Sequence, residues 1–158
     1  MSQLTSLLEE DSRPPRPISS EIGELGERLA ADLLSREGYR IVAANFTAPI
    51  GRDIRGTQVK GEIDIVALDG DTLCFVEVKA RSTADFAGPL DSVGLRKQRI
   101  VTRTARVYKR IFGLYSIKHR FDVVTVIDPS GVHPEVELHQ AFWSEAKFRK
   151  RNWADEFS

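Results

Sequence analysis

The chain has 158 residues, 41% of them hydrophobic and 29% charged, and its 23 basic and 23 acidic side chains leave a formal net charge of zero. This is the make-up of one soluble globular domain with tails, large enough for its own core. Bulk charge advertises no polyanionic partner, the lone Cys74 excludes an internal disulfide or a cysteine-rich zinc site, and no apolar run approaches the ~20 residues that span a bilayer. No secretory signal opens the chain, so a cytoplasmic protein is the default expectation.

In chain order, residues 1–18 are predicted to form a flexible tail, because Ser12–Pro17 holds three prolines and two arginines. Ser19 or Ser20 offers an N-cap for a helix running to about Glu37 and ended by Gly38. Ile22, Leu25, Leu29 and Leu33 form its apolar stripe, with Glu27 at the edge of that face. Such a Glu is usually solvated and gains interest only if the helix packs beside the hairpin that follows. Tyr39–Phe46 suits a first strand, and 47–60, with Arg52, Asp53, Arg55 and Lys60, reads as a charged loop. A hairpin occupies Gly61–Arg81, turned at Asp69-Gly70. Ser82–Leu90 is a loop, Asp91–Phe112 a long helix, Phe121–Ile127 a strand and Val136–Phe142 a last strand. The folded domain is set at 19–143 and a basic tail at 144–158. The order α-β-β-β-α-β, with a final strand, predicts an α/β/α sandwich with a central mixed sheet.

The hairpin carries the chemistry. Strand alternation puts Glu62, Asp64 and Val66 on one face of its first arm, and Phe75, Glu77 and Lys79 on one face of its second. Two carboxylates and an ammonium can then converge, bind a divalent cation and activate water against a phosphodiester. A structural Glu–Lys pair is the bland alternative, and a bare Glu-x-Lys carries little weight. The apolar flanks on both arms argue against a solvated face. Buried carboxylates need a metal, a proton or a cation beside them.

Between Ser92 and Phe121 there are nine Lys or Arg residues and no Asp or Glu. Arg96, Arg99, Arg103, Arg106 and Arg110 recur at steps of three and four, so they share one helical face. Val93, Ile100, Thr104, Val107, Tyr108 and Ile111 are expected opposite, against the sheet. Lys97 falls on that apolar side, where it snorkels or points to the hairpin carboxylates. Lys118, His119 and Arg120 extend the basic surface, and Asp122 has a structural role by default. A like-charged face with no acidic relief suits a nucleic-acid backbone, although acidic residues folded over it would serve as well. No base-reading motif is present, so recognition of structure is expected over recognition of sequence.

Gly26-Glu27 with Ala30, Gly38-Tyr39, Asn45, GEIDIVA at 61–67, FVEVKAR at 75–81, Lys97 and Arg120-Phe121-Asp122 resemble the YraN family of predicted endonucleases. That family is similar to archaeal Holliday-junction resolvases and belongs to the restriction-endonuclease-like PD-(D/E)xK superfamily. The match covers roughly Ile22–Ile127; Ile63 stands where the motif has Pro, and Thr47–Lys60 is longer than the family pattern. The resemblance implies a restriction-endonuclease-like fold with Asp64, Glu77 and Lys79 as catalytic core and Glu27 contributed by the first helix. It implies Mg²⁺, with Mn²⁺ as a substitute, held by Asp64, Glu77 and Glu27. Arg96, Lys97, Arg99, Arg103, Arg106, Arg110 and Arg120 are then the nucleic-acid-binding residues, DNA is the expected partner, and a homodimer follows by analogy with junction resolvases. The alternatives are a non-catalytic nucleic-acid-binding or scaffold domain on the same fold, and a hydrolase of another phosphate-bearing substrate.

Overall fold

The computed structural model describes residues 18–82 and 93–149. The expected tails over 1–17 and 150–158, most of the Ser82–Leu90 loop and the helix start at Asp91 lie outside the described residues. Helix α1 spans Ile18–Arg36, followed by strands β1 Arg40–Arg52, β2 Gln58–Asp69 and β3 Thr72–Arg81. Helix α2 (Leu95–Ile111) then leads to β4 (His119–Ile127), β5 (Glu135–Trp143) and a 3₁₀ turn at Glu145–Phe148. The five strands lie in the order β1-β2-β3-β4-β5. Only β3 and β4 pair in parallel, so the sheet is mixed.

Alternation along the strands feeds two cores. Ala30 and Leu34 of α1 pack with Ile65, Ala67, Cys74, Val76, Val124 and Val126. Val101, Ala105 and Tyr108 of α2 pack with Val66, Leu73, Phe75, Phe121 and Val123. The helices therefore cover opposite faces, and the α/β sandwich read from the sequence is the observed architecture. Cys74 is a buried core residue, its thiol pushed up to about 12 by burial and then by the Asp122 charge.

Four local expectations need correction. The charged loop expected over 47–60 is mostly strand, with β1 and β2 paired out to Arg52 opposite Gln58. Buried Ala48 and Ile50 supply the apolar alternation that the charges obscured. The buried face of α1 is centred on Gly26, Ala30 and Leu34, not on the leucine stripe. Small side chains allow close approach there: a Cβ on Gly26 would collide with the Ala80 Cβ. On α2, Gln98, Val101, Thr102, Thr104, Ala105 and Tyr108 are buried, whereas Ile111 is exposed and Ile100 and Val107 are half-buried. That roll seats Thr104 over Gly61, where a Cβ would collide with its hydroxyl, and brings the Thr102 hydroxyl within 2.9 Å of the donating Trp143 Nε1. Finally, the first residues of the expected C-terminal tail fold back onto the domain. Lys147 Nζ donates to Gln98 Oε1 at 3.0 Å, and Glu145 pairs with Arg106 at 2.7 Å and with His119 at 3.1 Å.

Candidate active site

Asp64 stands where β2 and β3 part. The last pair of their ladder is Ile65 with Val76. Just past it, the N–H of Val78, two residues beyond Val76, donates to Asp64 Oδ2 at 2.8 Å, so a side chain replaces the missing backbone acceptor. Strict alternation also breaks here. Ile63 packs in the α2 core and Ile65 in the α1 core, but Val66 packs with Ile63. This corrects the expectation that Asp64 simply shares a face with Val66. The twist turns its carboxylate into the gap between the strands, open to groups from both faces of the sheet.

Glu77 approaches from the α2 side, where Phe75 is also buried. Its Oε1 lies 3.4 Å from the Lys97 ammonium, and its buried Oε2 has no hydrogen-bond partner among the described residues. Burial, then the neighbouring Asp64 charge, lifts the Glu77 carboxyl to about 8, against the pull of Lys97. Asp64 is raised as well, chiefly by burial, with the Val78 N–H and Lys97 opposing. Two carboxyls this close and this dry cannot both ionise without a nearby cation.

Glu27, on α1, lies near enough to feel the Asp64 charge. Its pKa is raised by burial and then by the charges of Asp64 and Glu62, while a hydrogen bond with the Asn45 side chain lowers it. Two sequence features set this position. The Gly26–Ala80 contact draws the helix onto β3. Asn45 sits at φ 52°, a left-handed conformation that asparagine tolerates better than most residues. Sequence reasoning gave Asn45 no role; an asparagine breaking an apolar strand was the available signal. Lys79 is half-buried on the strand that carries Glu77 and has no hydrogen-bond or ion-pair partner among the described residues. The structure thus brings Asp64, Glu77, Glu27 and Lys97 into one electrostatic group, with Lys79 two residues along from Glu77. Among the described residues, no three Asp, Glu, His or Cys side chains lie close enough together to hold a metal ion between them.

Arg96, Arg99, Arg103, Arg106 and Arg110 are exposed along one face of α2. Arg103 donates to the Ile50 carbonyl at 2.7 Å, and Arg99 stands 5.8 Å from the centre of the Phe148 ring. Arg99, Arg103 and Arg106, with Lys147, Phe148 and Arg149, line a cavity of about 590 Å³. Arg120 lies apart from this surface. Its guanidinium donates to Asp122 Oδ1 at 2.8 Å, to Asp69 at 2.9 Å and to the Tyr39 hydroxyl at 2.7 Å. Asp122 is fully buried and also accepts from the Tyr39 hydroxyl and the Ala141 N–H. This internal network sets Arg120 apart from the exposed arginine face of α2 and gives Asp122 the structural role expected of it.

A family model described as uncharacterised protein family UPF0102 matches residues 26–126. A UPF0102 protein of Renibacterium salmoninarum is 39% identical over 117 residues, 74% of this chain and 91% of its own. One from Chlorobium chlorochromatii is 42% identical over 141 residues, covering 83% of this chain and 98% of its own. The chain belongs to family UPF0102. The UPF0102 match begins at Gly26, the helix contact that places Glu27, and takes in Asp64, Glu77, Lys79 and Lys97. The 3₁₀ turn that closes the basic cavity lies beyond the UPF0102 match. No helix among the described residues is long and apolar enough to cross a membrane.

Proposed function

We propose that this protein is a metal-dependent endonuclease of the PD-(D/E)xK type, acting on DNA and selecting branched structures. The observation that carries the reading is the buried Asp64–Glu77 pair, two facing carboxyls whose Glu77 Oε2 finds no donor among the described residues, on the side of the sheet covered by the arginine-rich helix α2. A buried carboxylate oxygen with no donor fits a cation site. Asp64 and Glu77 would hold Mg²⁺ or Mn²⁺, with Glu27 at the edge of the shell. Two or three carboxylates, with water and phosphate oxygens completing the set, suit a cation that keeps part of its hydration. The bound metal supplies Lewis-acid polarisation of the phosphate and a lowered pKa for water.

The chain's own groups do the rest. The Val78 N–H fixes the Asp64 carboxylate in the gap. Lys97 balances Glu77. Lys79 orients the attacking water or stabilises charge that develops on the phosphoryl oxygens. The α2 arginines hold the backbone on either side of the reacting phosphate.

The second reading is a non-catalytic nucleic-acid-binding domain, and the Lys97–Glu77 pair favours it, because an internal cation already answers part of the carboxylate charge. One experiment separates them. Purified protein is incubated with labelled four-way junction, flap, duplex and single-stranded DNA plus Mg²⁺ or Mn²⁺, beside Asp64→Ala. Metal-dependent cleavage of the branched substrates, lost in Asp64→Ala, is the expected result. Intact binding without cleavage of any substrate would move the protein to the second reading.

A further inference from the structure

The pairing of β2 with β3 stops at Ile65, but β1 and β2 stay paired to Arg52 and Gln58. A two-stranded ribbon therefore leaves the body of the sheet from the strand that carries Asp64. Its root is clamped by α2: Thr104 sits on Gly61, and Arg103 donates to the Ile50 carbonyl and lies against Gly51. Its tip is ordered by its own hydrogen bonds. Asp53 Oδ1 accepts from the N–H groups of Arg55 and Thr57, both at 2.9 Å, and Arg52 donates to the Gly56 carbonyl at 2.7 Å. The side chain held at the apex is Ile54, which is fully exposed, between the exposed Arg52 and Arg55.

The stiff arm thus holds one apolar side chain out at its tip, with a cation on either side of it at Arg52 and Arg55. We propose that this ribbon is a wedge: Arg52, Arg55 and Lys60 grip phosphates while Ile54 enters a base step of the bound DNA and unstacks it. Apolar side chains carried into a groove between cationic neighbours unstack base steps in this way. The inference rests on the nucleic-acid reading above and adds where the substrate is opened. From Gln58 to Asp64 the strand covers on the order of 20 Å at ~3.3 Å per residue. Ile54 lies in the turn beyond that end, so the wedge meets duplex roughly six base pairs or more from the scissile phosphate, taking ~3.4 Å per base pair. Arg103 joins the root of the arm to the arginine face, so one bound strand can touch both.

The test uses the full chain in EDTA, so that no cleavage intervenes. Duplex and four-way-junction DNA carry 2-aminopurine at successive positions. Anisotropy reports binding, and 2-aminopurine fluorescence is read at saturating protein. The protein, its Asp64→Ala form and Ile54→Leu are expected to brighten one position several-fold, and Ile54→Ser to leave it dark although the DNA is bound. Saturated DNA without brightening, or brightening kept by Ile54→Ser, overturns the wedge and leaves the nuclease reading standing. Failure of the protein to bind any of the DNAs overturns both.

Discussion

Glu77→Gln is expected to stabilise the metal-free protein, and by an amount that grows with pH. The carboxyl is buried, and burial with the adjacent Asp64 charge lifts it from 4.5 to about 8. Between those values the folded protein keeps a proton that the unfolded chain has released. The stability tied to that proton is complete below pH 4.5 and is lost as pH rises through about 8. At ~1.4 kcal/mol per unit, the loss is on the order of 5 kcal/mol by alkaline pH. Glutamine keeps the shape and carries no charge to desolvate. Urea denaturation in EDTA from pH 5 to pH 9 reads the effect directly. The two stabilities should lie close together at the acid end and separate by roughly 3–5 kcal/mol at the alkaline end. Added Mg²⁺ should restore the wild-type protein at high pH and do little for the variant, because a cation answers the same charge. Parallel curves across the pH range, with a constant offset, would refute the reasoning.

Other perturbations test the scaffold of the site. Gly26→Val places a branched side chain against the Ala80 Cβ and should cost about 1–3 kcal/mol in thermal or urea unfolding. The same change should weaken calorimetric Mg²⁺ binding, since it pushes Glu27 away from Asp64; unaltered binding would detach Glu27 from the site. Asp122→Ala leaves the Arg120 guanidinium and the Tyr39 hydroxyl without their shared acceptor and should cost about 3–5 kcal/mol, read by the unfolding midpoint. Arg99→Ala and Arg106→Ala should each lower the slope of log affinity against log salt for duplex DNA by about 0.9, and slopes equal to wild type would remove those side chains from the phosphate contacts.

The parts of this molecule that were legible in the sequence are those governed by a short period. The hairpin turn at Asp69-Gly70, the alternating strands and the arginine spacing on α2 all follow from steps of one to four residues. What stayed hidden depends on distant partners. The leucines of α1 outweigh Gly26 and Ala30 on any hydropathy reading, yet the small residues face the sheet, because Ala80 leaves room for nothing larger. Arg120 reads as one more surface cation until Asp69, Tyr39 and Asp122 are brought beside it. The stretch 47–60 reads as loop, because its charges belong to the tip and its two buried side chains, Ala48 and Ile50, are too few to announce a strand. Asp64, Glu77 and Lys79 were legible as a motif, but the neighbours that give the group its electrostatics were less so. Lys97 was ambiguous, and Asn45 stood as a signpost of the family resemblance with no role attached.

The break in the β2–β3 ladder is the step that joins fold to chemistry. A strand paired on both sides offers its side chains to one face or the other, never to both. Where β2 parts from β3, Asp64 takes over the Val78 N–H and looks along the sheet plane. Glu77 and Lys97 can then meet it from the α2 side, and Glu27 from the α1 side. The same divergence releases the ribbon that carries Ile54. Closing it by continuing the ladder would satisfy the backbone and remove both features. The cost of leaving it open falls on the carboxylates, which burial and their mutual proximity push up in pKa and which a bound cation would relieve.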